Sequence, residues 1–151
     1  TGRVFRPWRT RGPILPSLYP WGYNRCMSSI ELTLDSFPHA VSGEGIVLVD
    51  FWAAWCGPCR AFAPVYESAS AAHPDLVFAK VDTDAEQQLA AGFRITSIPT
   101  LMVFRDGVIV YSQPGALSGP QLDQVIEGAR ALDMEEVRRR IAEQQADGAS
   151  A

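Results

Sequence analysis

Apolar residues along this chain change their period several times, and each change marks an element. Ile30-Glu31-Leu32-Thr33-Leu34 alternates apolar and polar side chains, the two-residue repeat of a half-buried strand. Asp35 suits the cap of a short helix over residues 36–41. Residues 46–51 (Ile46-Val47-Leu48-Val49-Asp50-Phe51) are apolar on both faces except at Asp50, as in a central parallel strand. The repeat then becomes helical: from Cys56 onward, Phe62, Val65, Tyr66 and Ala69 recur three or four residues apart. Pro58 falls in the first turn of this helix, where its missing N–H has no partner to lose. Pro64 lies deeper and is expected to kink it. A strand over 76–81 and a short helix over 85–91 follow. Residues 100–104 and 108–111 form two strands joined by Asp106-Gly107, a strong two-residue hairpin signal. Ser118 and Gln121 make a capping box for a helix over 119–132. The order β-α-β-α-β-α-β-β-α predicts an α/β domain with a mixed sheet and helices on both faces.

The two ends read differently. Beyond Leu132, the residues Met134, Val137 and Ile141 make one thin apolar stripe, with Glu135–Arg139 and Glu136–Arg140 spaced as i,i+4 ion pairs. So narrow a stripe favours a solvated helical extension over a partner-binding helix, and residues 146–151 are expected to be disordered. Residues 1–26 hold four prolines and no helical or strand period. They read as upstream sequence outside the native protein or as a disordered extension of the domain. Prolines and arginines interrupt the apolar core of a secretory signal, and the prolines oppose the amphipathic helix of a transit peptide. The expected organisation is an extension over 1–26, a domain over 27–132, and a helical tail over 133–151.

Charge sharpens this division. The net charge of −4 divides into five arginines and no acid in residues 1–26, leaving −9 on residues 27–151. An acidic body argues against nucleic acid as a partner. No apolar run approaches the length of a membrane span, so no membrane partner is expected. A length of 151 residues suits one domain able to bury a core without disulfide staples. Three cysteines, two of them in one motif, are not a secreted disulfide framework.

The candidate chemistry sits in Trp55-Cys56-Gly57-Pro58-Cys59, at a strand-to-helix junction. Two cysteines so spaced can close a small disulfide loop or hold a metal. A structural zinc site wants four ligands, and the remaining candidates Cys26, His39 and His73 are unpaired. A loop this short removes little chain entropy, so a purely structural disulfide would stabilise weakly. Dithiol redox chemistry is the better reading. At a helix N-terminus the dipole and free N–H groups favour a thiolate, which makes Cys56 the expected nucleophile with its sulfur facing water. Cys59, one turn on and shielded, is the expected resolving thiol. Asp50 shares a strand face with Ile46 and Leu48. It is either a solvated strand end or a desolvated carboxyl of raised pKa that takes the proton of Cys59.

The segment Val49-Asp50-Phe51-Trp52-Ala53-Ala54-Trp55-Cys56-Gly57-Pro58-Cys59-Arg60 resembles the active-site stretch of the thioredoxin family. Ala79-Lys80-Val81-Asp82, Ser97-Ile98-Pro99-Thr100-Leu101 and Gly115-Ala116-Leu117-Ser118 resemble its later motifs, in order and at matching spacing. The likeness covers about residues 28–132. It implies a thioredoxin fold of about five strands flanked by four helices. It also implies Asp50 as general base with Lys80 as its electrostatic partner, and a cis-proline at Pro99 facing the cysteines. Trp55, Ile98, Pro99, Gly115 and Ala116 would then form an apolar rim for extended peptides, with Trp52 packed beneath. Gly57-Pro58 resembles the reducing members, whereas Arg94 and Thr96 depart from common family choices beside the proline. The resemblance further implies no bound cofactor beyond the redox-active Cys56-Cys59 disulfide. The partners would be an NADPH-dependent thioredoxin reductase and disulfide-containing target proteins, and the chain a cytoplasmic monomer. An oxidase or isomerase of an oxidising compartment, or a non-catalytic binding or chaperone module, are the alternatives.

Overall fold

Among the described residues the hydrophobic pattern resolves into ten elements. They are β1 (Ile30–Glu31), α1 (Phe37–Val41), β2 (Ile46–Trp52), α2 (Gly57–Ala72), β3 (Val77–Asp82), α3 (Gln87–Gly92), β4 (Thr100–Arg105), β5 (Val108–Pro114), α4 (Gly119–Ala131) and α5 (Met134–Gly148). The computed structural model describes residues 29–149, so the expected extension over 1–26 and the last two residues of the tail lie outside the described residues. The sheet order is β1-β3-β2-β4-β5. β1 and β2 run parallel to β3, whereas β4 is antiparallel to both β2 and β5. This is the thioredoxin fold that the resemblance implied.

β2 reads apolar on both faces because both faces are covered. Ile46 and Leu48 pack with Phe62 and Tyr66 of α2 and with Leu122 and Ile126 of α4. Val47, Val49 and Phe51 pack on the other face with Phe37 of α1 and Leu89 of α3. Tyr66 is fully buried, and its hydroxyl shares its proton between the carbonyls of Leu48 (3.0 Å) and Ala79 (2.8 Å). That bond ties α2 to the two central strands and satisfies a polar atom that would otherwise be desolvated without a partner.

Local signals held where the chemistry is local. Asp106 and Gly107 adopt positive φ of 51° and 79°, as a primed hairpin turn requires. Asp106 is locked further, because its carboxylate accepts the Gly45 N–H at 2.8 Å. The Ser118–Gln121 capping box opens α4 as expected. α2 runs as one helix through Pro64.

Four expectations need correction. The strand expected over 30–34 is only two residues long. Leu32 donates one more bond to the Lys80 carbonyl, and Thr33 and Ser36 then hydrogen-bond each other and turn the chain away. Ser36, not Asp35, occupies the N-cap of α1, and no side chain caps it. In α5, Glu136 pairs with both Arg139 and Arg140, and Arg139 reaches forward to Glu143 in place of Glu135. The expected disorder from residue 146 starts too early, since α5 continues to Gly148. Asp133 explains where α5 begins: its carboxylate accepts the N–H groups of Glu135 and Glu136.

Candidate active site

β2 delivers the chain to the site and α2 carries it away. At the end of the strand, the carbonyl of fully buried Ala53 accepts the Cys56 N–H at 3.2 Å. Cys56 has extended backbone and occupies the N-cap of α2, a place ordinarily taken by Ser, Thr, Asp or Asn. Its sulfur does their work, accepting the Cys59 N–H at 3.2 Å. Cys56 and Cys59 are joined as a disulfide, with 5.3 Å between their Cα atoms. The bond therefore lies where the helix dipole stabilises negative charge on sulfur. Gly57 and Pro58 form the exposed first turn between the two cysteines.

Burial does not separate the two cysteines. Cys56 is 4% exposed and Cys59 3%, so the expectation that Cys56 faces water is not met in this oxidised state. The physical reason is the loop opposite. Cys56 Sγ lies 3.6 Å from the Ile98 carbonyl oxygen, and Ile98 packs against both cysteines. The Ile98–Pro99 peptide bond is cis, as the resemblance implied. The Pro99 carbonyl accepts the Gly115 N–H at 2.8 Å, and Gly115 holds a φ of 107° that side-chain-bearing residues rarely adopt. Ile98, Pro99 and Gly115 are thus brought together beside the disulfide, with exposed Ala116 next in the chain. Trp55 is 68% exposed, and its indole N–H donates to Asp84 at 3.0 Å.

Asp50 is 1% exposed and sits on the β2 face that packs against α2. One carboxylate oxygen, Oδ1, has no hydrogen-bond partner among the described residues. Burial pushes its pKa up to about 7; Lys80 opposes the rise and Glu31 adds to it. Asp50 is therefore the desolvated carboxyl and not a solvated strand end. Lys80 stands beside it in register on β3. Lys80 makes no ion pair within 4.0 Å among the described residues; its ammonium lies over the Trp52 ring, 4.7 Å from the centroid. Trp52 packs in turn against the cysteine pair. Two contributors escaped the sequence reading: Asp84, which holds Trp55, and Glu31, which faces Lys80 across β1 and β3. Neither carries a local motif. Among the described residues no three His, Cys, Asp or Glu side chains converge as a metal site, and no helix is long and apolar enough to cross a membrane.

A disulfide capping the helix that follows a strand with a buried carboxyl of raised pKa, in a mixed sheet, is the apparatus of a thiol–disulfide oxidoreductase. The chain belongs to the thioredoxin family: the family model Thioredoxin matches residues 28–128. Putative thioredoxin 2 of Streptomyces coelicolor is 57% identical over 119 residues, which is 79% of this chain and 89% of that protein. Thioredoxin of Bacillus subtilis is 40% identical over 101 residues, covering 66% of this chain and 96% of the relative. Among solved structures, Malassezia sympodialis thioredoxin superposes with a TM-score of 0.63 at 34% identity, over 69% of this chain and 92% of that one.

Proposed function

We propose that this chain is a protein-disulfide reductase of the thioredoxin type. Electrons enter from NADPH through a thioredoxin reductase and leave to disulfides of target proteins, contributing to cell redox homeostasis. The observation that carries the reading is the Cys56–Cys59 disulfide at the N-terminus of α2, with only Gly57 and Pro58 between the sulfurs. In the reduced pair, Cys56 is the nucleophile. Its thiolate attacks a target disulfide, forms a mixed disulfide and expels one target thiolate. Asp50 takes the proton of Cys59; the Cys59 thiolate then attacks Cys56 Sγ, closes the internal disulfide and expels the second target thiolate. Two electrons pass from the dithiol to the target, and no further cofactor is needed. Lys80 supports the charged form of Asp50. Trp55, Ile98, Pro99, Gly115 and Ala116 form the surface on which an extended target lies. The functional unit is residues 27–132, acting as a cytoplasmic monomer, a setting whose poise keeps such a dithiol reduced.

Gly57-Pro58 favours the reductase over an oxidase, because no His precedes Cys59 to hold its partner as thiolate. The test is insulin precipitation. The chain should accelerate turbidity with dithiothreitol, and also with NADPH and a bacterial thioredoxin reductase. A binding or chaperone module would accelerate neither.

A further inference from the structure

Register places three charged residues in one row across the sheet. Glu31 of β1 pairs with Lys80 of β3, and Lys80 pairs with Asp50 of β2. In-register neighbours point to the same side of a sheet, here the side covered by α2. Lys80 thus stands between two carboxylates, yet it is ion-paired with neither and rests on the Trp52 ring. Among the described residues the Trp52 indole N–H has no acceptor at hydrogen-bond distance, but it lies close enough to favour the Glu31 carboxylate. Past Asp50 the row continues through Leu101 of β4 to Gln113 of β5, neither of which carries charge.

We propose that Glu31 is a positioning residue for the release step: it competes for Lys80 from the sheet edge and so denies Asp50 a full counter-charge. The inference rests on the proposed role of Asp50 and adds to it the group that poises the base. A base is most effective near the working pH. A lone Lys80 beside Asp50 would draw its carboxyl toward the ordinary range; Glu31 offsets that pull. The other groups that bear on the row are few. Glu67 of α2 and Asp82 of β3 act on Glu31, which burial also pushes up. On the α2 side of Asp50 stands Tyr66, whose hydroxyl is held well above its ordinary range by burial, with Asp50 adding to the rise.

The test titrates the oxidised full-length chain, so that neither active-site thiol titrates. The Asp50 carboxyl carbon is followed by NMR across neutral pH in the wild type, Glu31→Gln, Glu31→Asp and Lys80→Met. Two interstrand spacings, across β3, separate Glu31 from Asp50, about 10 Å. At an effective dielectric near 20, loss of that charge should lower the Asp50 midpoint by about one pH unit. Glu31→Asp should restore most of it, and Lys80→Met should move it upward. The release step is read separately, as the second phase of a stopped-flow reaction with an aromatic disulfide, and its pH profile should shift in the same sense. An Asp50 midpoint that stays or rises in Glu31→Gln overturns the inference. A midpoint that falls while the release profile stays fixed overturns the base role of Asp50, and with it any part for Glu31 in the reaction.

Discussion

Asp50 couples function to stability at the level of a single residue. Its pKa rises from 3.8 in the unfolded chain to about 7 on folding. Between those values the folded state holds the extra proton, so stability falls as pH rises through that window. The full penalty is present above the folded value and amounts to roughly 4 kcal/mol. Asp50→Asn should therefore stabilise the chain at pH 8 and have little effect at pH 4, measured as urea midpoints. The same variant should slow release at neutral pH while leaving attack by Cys56 near wild type. The cysteines should also fail differently. Cys59→Ser should accumulate mixed disulfides with target proteins, seen on a non-reducing gel and lost on reduction, while Cys56→Ser traps none. Since both cysteines are equally buried, the asymmetry rests on position: Cys56 caps the helix and receives the free N–H of Cys59. Trapping by Cys56→Ser alone would reverse the assignment.

Helix α4 shows how much one element depends on a side chain from elsewhere. Arg105, at the end of β4, places Nη1 within hydrogen-bond distance of the carbonyls of Ala129 (2.6 Å), Arg130 (3.0 Å) and Leu132 (2.7 Å). Those carbonyls have lost their helical partners, so the guanidinium serves as a C-cap supplied by the sheet. Arg105→Ala should destabilise by about 2–3 kcal/mol in urea unfolding, because several bonds to one charged group are lost together. A change below about half a kcal/mol would refute the cap. Elements of this kind were legible in the sequence only where their determinants are local. Asp106-Gly107 and Ser118–Gln121 announce themselves within a few residues. The cap on α4 does not, because Arg105 and Leu132 meet only after the sheet and helix have packed. Glu31 escaped for the same reason: its place beside Lys80 is set by strand pairing across 49 positions. The cis bond at Pro99 was reachable through resemblance alone. The two-residue β1 was misread because Leu34 continues the alternation while the Thr33–Ser36 turn breaks it.

Over the whole molecule, α5 stands apart. It buries Met134 and otherwise presents charge to solvent, with Val137 and Ile141 leaning toward Ile109 and Val110 of β5 and toward Leu132 across an open groove of about 230 Å³. Ending the chain after Asp133 should leave insulin reduction unchanged and lower stability by no more than about 3 kcal/mol, the burial of one methionine and some flanking surface. Loss of activity on this truncation would place α5 in the site.

The brevity of β1 bears on what the protein does in a crowded cell. An outermost strand offers unpaired amides and carbonyls to any extended chain that drifts past, and a long flat one seeds fibres. Here the border ends after Glu31, a charged residue, and the main chain then folds back on itself at Thr33–Ser36. On the proposed function, a molecule that grips extended target segments at one face is thereby kept from being paired along another.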